Sequence, residues 1–270
     1  MESVFTAMRR ISNKITNAVG ITIGEKFPFY YVTEYPRSGG TWLAHMVSDY
    51  LQIAFPKSSI FPLGCECVLH NHWKYHSRLK PVIYVVRDGR DVAVSMFFYA
   101  LRHIVNGENR GYFLSRFKSL RNTAQLCDNY RDIFPRFIEE WFRYPAACKY
   151  SWNQHVDQWA FHDDNVFVIK YEDLNSNTFK SLSDVITYLT KSPPEPESLK
   201  QTIQKFLFSK QTGREKGVED TMSKKRKGIV GDWRNYLSIQ SGKIFHSYAG
   251  DALLRLGYEK ERNWFEALHE

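Results

Sequence analysis

The chain has 270 residues, 43% hydrophobic, 16% aromatic and 24% charged, with 37 Lys and Arg against 29 Asp and Glu for a net charge of +8. That length suits one large domain or two small ones, and the composition excludes a disordered or collagen-like chain. No run approaches the ~18 apolar residues that span a bilayer, and Cys65, Cys67, Cys127 and Cys148, with no CxxC pair, are too few for a disulfide framework, which points to a reducing, cytoplasmic setting. The positive excess favours anionic partners; composition leaves open nucleic acid, a membrane surface or a phosphorylated small molecule.

Val4, Met8, Ile11, Ile15 and Val19 recur at helical spacing with Arg9, Arg10 and Lys14 between them, which predicts a basic amphipathic helix within residues 1–26. The segment lacks the apolar core of a secretory signal. The helix would pack on the rest of the protein; peripheral contact of residues 1–20 with a membrane is the alternative. Phe29-Tyr30-Tyr31-Val32 then predicts a buried strand, and Trp42, Leu43, Met46, Val47, Tyr50 and Leu51 an amphipathic helix. Val82–Val86 reads as a second strand, followed by a helix from about Gly89 to Arg102. Val166–Ile169 reads as a third strand, and Leu182, Val185, Ile186 and Leu189 mark a helix. A last helix runs from about Gln240 to Leu256, with Gly257 suited to end it. Continuous apolar strands alternating with helices predict an α/β fold: a central parallel sheet with helices on both faces. The aromatic stretch between the second and third strands predicts a helical cap over about 104–152 inside a single domain spanning 27–270.

Arg37-Ser38-Gly39-Gly40-Thr41 lies between the first strand and its helix, where α/β sheets bind ligands. Two glycines allow close approach of backbone N–H groups to a phosphate, the arginine adds charge, and the hydroxyls add hydrogen bonds. It is not a GxxxxGK[ST] loop, since Thr41-Trp42 follows the last glycine. After the second strand, Arg87 precedes a helix start and Ser95 lies two turns along; an Arg87–Asp91 ion pair is the plain structural reading. Lys224-Lys225-Arg226-Lys227-Gly228 reads as a solvated basic face, a nucleic-acid patch or a loop that folds over an anion. Such a run should repel itself until an anion arrives, so residues 214–231 are expected to close on a ligand.

Three segments in order, YPRSGGTW, VVRDGRDVAVS and RKGIVGDW, resemble those of the sulfotransferases that use 3′-phosphoadenosine 5′-phosphosulfate (PAPS) and release 3′-phosphoadenosine 5′-phosphate (PAP). The likeness extends to VIKYEDL (168–174) and FSKQTGR (208–214) and weakens across 104–150. It implies that Arg37, Ser38, Gly39, Gly40 and Thr41 form a P-loop-like cradle for the 5′-phosphosulfate. Trp42 and Phe208 would take the faces of adenine and Tyr171 its edge. Arg87, Ser95, Arg226, Lys227 and Gly228 would hold the 3′-phosphate. The family's base is a histidine in a KTH-like segment, here Leu69-His70-Asn71-His72-Trp73, and alignment on its last residue makes His72 the base; His76 is the other option. Neutral imidazole suits proton abstraction near pH 7. Arg37 and His70 stand where the family has lysines, so either Arg37 carries more of the stabilisation of the sulfuryl group or a protonated His70 shares it. His70 and His72 as a metal pair lack a third ligand in the sequence, and no metal is expected.

The reaction implied is sulfuryl transfer to a hydroxyl or amine of a small-molecule or lipid acceptor. Two other classes stay open: a nucleotide kinase with a degenerate phosphate loop, and a non-enzymatic basic protein binding membrane or nucleic acid. The family's dimerisation segment has Lys243 where it carries a glutamate, which counts against dimerisation by that route.

Overall fold

The computed structural model describes residues 4–23, 26, 28–56, 65–122, 130–161 and 165–269. Cys127 and the side chains of Val4 and Arg9 lie outside the described set. In chain order the helices and strands are α1 (Val4–Ile23), β1 (Phe29–Glu34), α2 (Gly40–Leu51), β2 (Cys67–Asn71), β3 (Val82–Val86), α3 (Gly89–Val105), α4 (Arg110–Arg116), α5 (Tyr130–Arg143), α6 (Trp152–Trp159), β4 (Val166–Lys170), α7 (Tyr171–Ser176), α8 (Thr178–Thr190), α9 (Pro196–Lys205), α10 (Phe208–Thr212) and α11 (Ile239–Arg255). The strands form one parallel sheet in the order β2-β1-β3-β4. Packing divides the chain into two compact units, Met1–Val86 with Gln158–Gly213, and Arg87–Asp157 with Arg214–Glu270.

The first unit contains the whole sheet. β1 and β3, FYYVTE and VIYVV, are β-branched and aromatic and almost wholly buried, as strands covered on both faces are. On one face Val32, Ile83 and Val85 pack with Leu43, Ala44, Met46 and Val47 of α2 and Leu182, Val185 and Ile186 of α8. On the other the core is aromatic: Tyr84 stacks on Trp159 (6.0 Å) and Tyr31 lies by Trp73 (6.1 Å). The Trp159 indole N–H donates to the Trp73 carbonyl at 2.9 Å. α1 crosses this side, and a Cβ on its Gly20 would stand 2.5 Å from the Tyr31 hydroxyl, so only glycine allows the approach.

β2 was not anticipated. Its apolar run is three residues long before His70 and Asn71, too short to mark a strand by pattern. Pairing supplies what pattern does not: Cys67 N–H donates to Pro28 O at 3.2 Å and Val68 N–H to Ala54 O at 2.9 Å. The register sets Val32 beside His70 and Thr33 beside Asn71, which brings residue 72 level with Glu34.

The second unit is built on rings. Phe97 of α3 stacks on Phe134 (4.7 Å) and meets Phe137 edge-on (5.1 Å), both from α5, and Phe142 of α5 meets Phe245 of α11 at 5.2 Å. The stretch expected as a cap contains α4 and α5 and belongs to one unit with α3 and residues 214–269. Arg90 anchors this unit. Its guanidinium lies 3.8 Å from the Trp233 ring centroid and 4.5 Å from that of Trp264, and it pairs with Asp88 and Glu259.

Candidate active site

The turn from β1 into α2 is tight and partly left-handed. Arg37 has φ 80°, a conformation unusual for a residue with a Cβ and one that recurs at functional turns. Gly39 has φ 98°, and a Cβ there would lie 2.5 Å from the Tyr171 ring, so glycine is required both by conformation and by space. Tyr171 thus lies directly against the loop and meets Trp42 edge-on at 6.2 Å. The Trp42 indole N–H donates to Phe206 O at 3.0 Å, which fixes the ring. Ser38 is 1% exposed, and its Oγ has no hydrogen-bond partner among the described residues. A buried hydroxyl left unpaired costs about 1–3 kcal/mol, so this atom is suited to a ligand oxygen. Thr41 is exposed on the first turn of α2, and Phe208 opens α10, half-buried.

Glu34 ties this loop to the histidines. It is 3% exposed at the end of β1, and its carboxylate accepts the N–H of Gly40, the first residue of α2. The same carboxylate pairs with His70 Nε2 at 2.8 Å. Burial alone would raise its pKa, but the bond and charge of His70, the charge of His72 and the Gly40 N–H outweigh burial and hold it below the ordinary carboxylate value. His72 Nδ1 lies 2.8 Å from the backbone carbonyl of Glu34. A carbonyl only accepts, so Nδ1 carries the proton and Nε2 the lone pair. Burial first, and then the neighbouring His70, push the His72 pKa below 6.5, opposed by Glu34. The two imidazoles are perpendicular at 5.1 Å.

Sequence reading missed Glu34. A glutamate closing an apolar strand looks like a polar strand end, and its role appears only once β1 and β2 are in register. It also supplies the third ligand type that a metal at His70 and His72 lacked: potential ligand atoms of Glu34, His70 and His72 lie within 4.8 Å of one another. The hydrogen bonds described above account for the Glu34 carboxylate and for one nitrogen of each histidine.

The second unit holds the other predicted cluster. Arg87 Nη2 lies 3.4 Å from Asp91 Oδ2 and donates to Ile229 O at 3.4 Å, so the plain ion-pair reading holds and the arginine is also joined to the late loop. The buried Asp91 carboxylate accepts Gly231 N–H at 2.8 Å and Trp233 N–H at 3.0 Å; burial, its largest influence, pushes its pKa up despite Arg87. Ser95 is half-buried on α3. Arg226 pairs with Asp232 and Glu219, bonds Tyr236 Oη at 3.0 Å and lies 4.6 Å from the Phe98 ring centroid. Lys227 Nζ is 2.8 Å from Asp232 Oδ1. Burial would raise the pKa of Asp232, but its bonds from Lys227, Arg226 and Asn235 hold it low. Gly228 takes φ 70°. Arg214 donates to the carbonyls of Val218 (2.7 Å), Arg226 (2.8 Å) and Lys225 (2.7 Å). Within the basic run Arg226 and Lys227 are paired with Asp232 and Glu219 while Lys224 and Lys225 are exposed, and Arg214 stitches the loop from within.

A parallel sheet with an anion-ready turn at a strand end places the chain among α/β proteins that bind phosphorylated ligands there. The sulfotransferase domain matches residues 70–257, which takes in His70, His72 and every candidate from Arg87 to Gly228, while the 37–42 loop precedes it. The 3-alpha-hydroxysteroid sulfotransferase of Cavia porcellus is 27% identical over 248 residues, covering 78% of this chain and 78% of the relative. Sulfotransferase 1A1 of Bos taurus is 23% identical over 261 residues, covering 80% of each. Among solved structures, mouse sulfotransferase SULT7A1 complexed with PAP superposes with a TM-score of 0.63 at 20% identity, over 95% of this chain and 94% of that one. Retinol dehydratase in a complex with retinol and PAP gives 0.58 at 19%, over 89% and 86%. This chain belongs to the sulfotransferase family.

Proposed function

We propose that the protein moves a sulfuryl group from PAPS to a hydroxyl or amine of a small-molecule or lipid acceptor. The observation that carries this is the loop of Arg37–Thr41, with the buried Ser38 Oγ awaiting a partner, next to a histidine whose tautomer suits a base. Ser38, Arg37 and the loop N–H groups hold the 5′-phosphosulfate; Trp42, Tyr171 and Phe208 hold adenine. Arg87, Ser95, Arg226, Lys227 and Gly228 take the 3′-phosphate, Arg226 and Lys227 while bound to Asp232. PAP in the neighbouring structures supports this donor, and the absence of GK[ST] argues against a kinase.

The acceptor oxygen or nitrogen attacks sulfur as the bond from sulfur to the bridging phosphate oxygen breaks, in line. Its proton passes to His72 Nε2, and PAP departs with the electron pair. Such transfers depend mainly on positioning and on stabilising charge as it develops. Arg37 supplies a cationic group, with Glu34 as a positioning residue that locks His70 and the start of α2 together. Retinol dehydratase binds androsterone in one complex and retinol in another, and apolar alcohols of that kind are the acceptor class to try first. Cys65, Cys67 and Cys148 are unbridged, and no helix among the described residues is long and apolar enough to cross a membrane.

The test is an acceptor screen with sulfur-labelled PAPS, run beside phosphorus-labelled ATP. Label transfer from PAPS alone is the expected result. Transfer from ATP alone makes the protein a kinase.

A further inference from the structure

α1 meets the first unit by an unexpected face. Ser12, Thr16 and Gly20, one helical turn apart in succession, are the buried positions among the described side chains, with Ser12 1% and Thr16 5% exposed. Thr16 Oγ1 donates to Ser12 O at 2.9 Å, which satisfies the hydroxyl inside the contact, and Gly20 lets the helix down onto Tyr31. Asn13 Oδ1 accepts the Trp73 indole N–H at 2.6 Å. Three residues of the apolar stripe are turned outward: Met8 is 48% exposed, Ile11 58% and Ile15 38%, while Val19 is half-buried. Arg10 and Lys14 are exposed beside it. Val4–Ile23 holds no acidic residue at all.

We propose that α1 seats the protein on an anionic lipid surface, with Met8, Ile11 and Ile15 entering the headgroup layer and Arg10 and Lys14 meeting lipid phosphates. A basic, acid-free helix with one apolar edge is the form that lies in a membrane interface, where apolar burial and attraction to anionic headgroups act together. A second copy of this chain fits less well. A two-fold contact through this stripe would bring the Arg10 and Lys14 of both helices together, and three side chains fall far short of the ~800 Å² per partner of a stable interface. Nucleic acid has no use for the isoleucines. Trp73, which α1 holds, follows the proposed base His72, so a docked α1 is bonded to the segment that carries the chemistry.

The experiment uses the full chain and sedimentation with vesicles of phosphatidylcholine alone and of phosphatidylcholine with phosphatidylserine. Binding to the anionic vesicles, weakened by added salt, is expected. The pair Ile11→Asp with Ile15→Asp should weaken it roughly tenfold or more, and Arg10→Glu with Lys14→Glu by a similar factor. All four positions are exposed, so melting temperature and PAP affinity should stay at wild-type values, which separates this proposal from the sulfuryl-transfer reading. A wild-type protein that ignores both vesicles overturns the proposal. So does vesicle binding unaffected by either double variant, or a dimer in sedimentation velocity that Ile11→Asp with Ile15→Asp dissolves without any vesicle binding in the wild type.

Discussion

At the end of β1 the Ser38 hydroxyl is buried with no partner among the described residues, while in the late loop of the second unit Arg226 and Lys227 already meet carboxylates and Arg214 already meets three carbonyls. Both regions were read as anion sites. They are prepared differently. The first leaves a hydrogen-bonding group unsatisfied and brings backbone close through Gly39, so a ligand completes it. The second is complete as it stands, and a phosphate there must share cations with Asp232. At the first site the unmet hydroxyl counts because it stands in a left-handed glycine turn at a strand end, whereas in the late loop the positive charge has found internal partners.

The contrast can be broken at several points. His72→Ala carries the largest expected effect: kcat should fall roughly 10²–10⁴-fold with PAP affinity nearly unchanged, since the proposed role of the histidine is to move a proton and not to hold the donor. His76→Ala should be near neutral; the reverse ranking would relocate the base. The pH profile adds a sign. A base works when neutral, and the His72 pKa is held below 6.5, so the acidic limb of kcat/KM should have its midpoint below 6.5 and be flat by neutrality. A midpoint above 7 would contradict the assignment.

Asp232→Asn should come next, as a loss of stability. It leaves Arg226 and Lys227 facing an uncharged partner at a position 3% exposed, a change on the order of 3 kcal/mol, read by denaturant melts. A variant as stable as wild type, with a tighter hold on PAP, would mean the pairs are a latch and not a clamp.

Glu34→Gln keeps the shape of the side chain and removes its charge. It should lower kcat roughly tenfold with little change in PAP affinity, because it loosens His70 and the start of α2 together. If chelators abolish activity and Glu34→Gln then weakens metal binding, the triad is a metal site and the proton-transfer account fails. Ser38→Ala should be the smallest change, weakening PAPS several-fold while leaving stability the same or slightly higher, since the orphan hydroxyl is removed. A clear drop in stability would show that Ser38 serves the fold.

Much of this architecture was legible. The alternation of apolar strands and helices located β1, β3, β4, α2, α3, α8 and α11, because each is long enough for its period to register. The loop of Arg37–Trp42 was legible from its glycines. What escaped depends on pairing across distance. β2 is invisible without β1, and Glu34 gains its partners only through that pairing. Asp91 reaches Gly231 across 140 positions of sequence. For α1 the periodicity gave the helix and its packing on the rest of the protein, but pattern shows only that a helix has two faces, while contact with Tyr31 and Trp73 decides which one is covered.

The central claim is that this chain binds a donor with a phosphate at each end of its nucleoside. Calorimetry with PAP and with AMP tests it most directly, since the two differ only in the 3′-phosphate assigned to Arg87, Ser95, Arg226, Lys227 and Gly228. PAP should bind at least a hundredfold more tightly, and Arg87→Ala should remove on the order of 2–5 kcal/mol of that binding. Equal affinities for PAP and AMP would contradict the assignment of the donor.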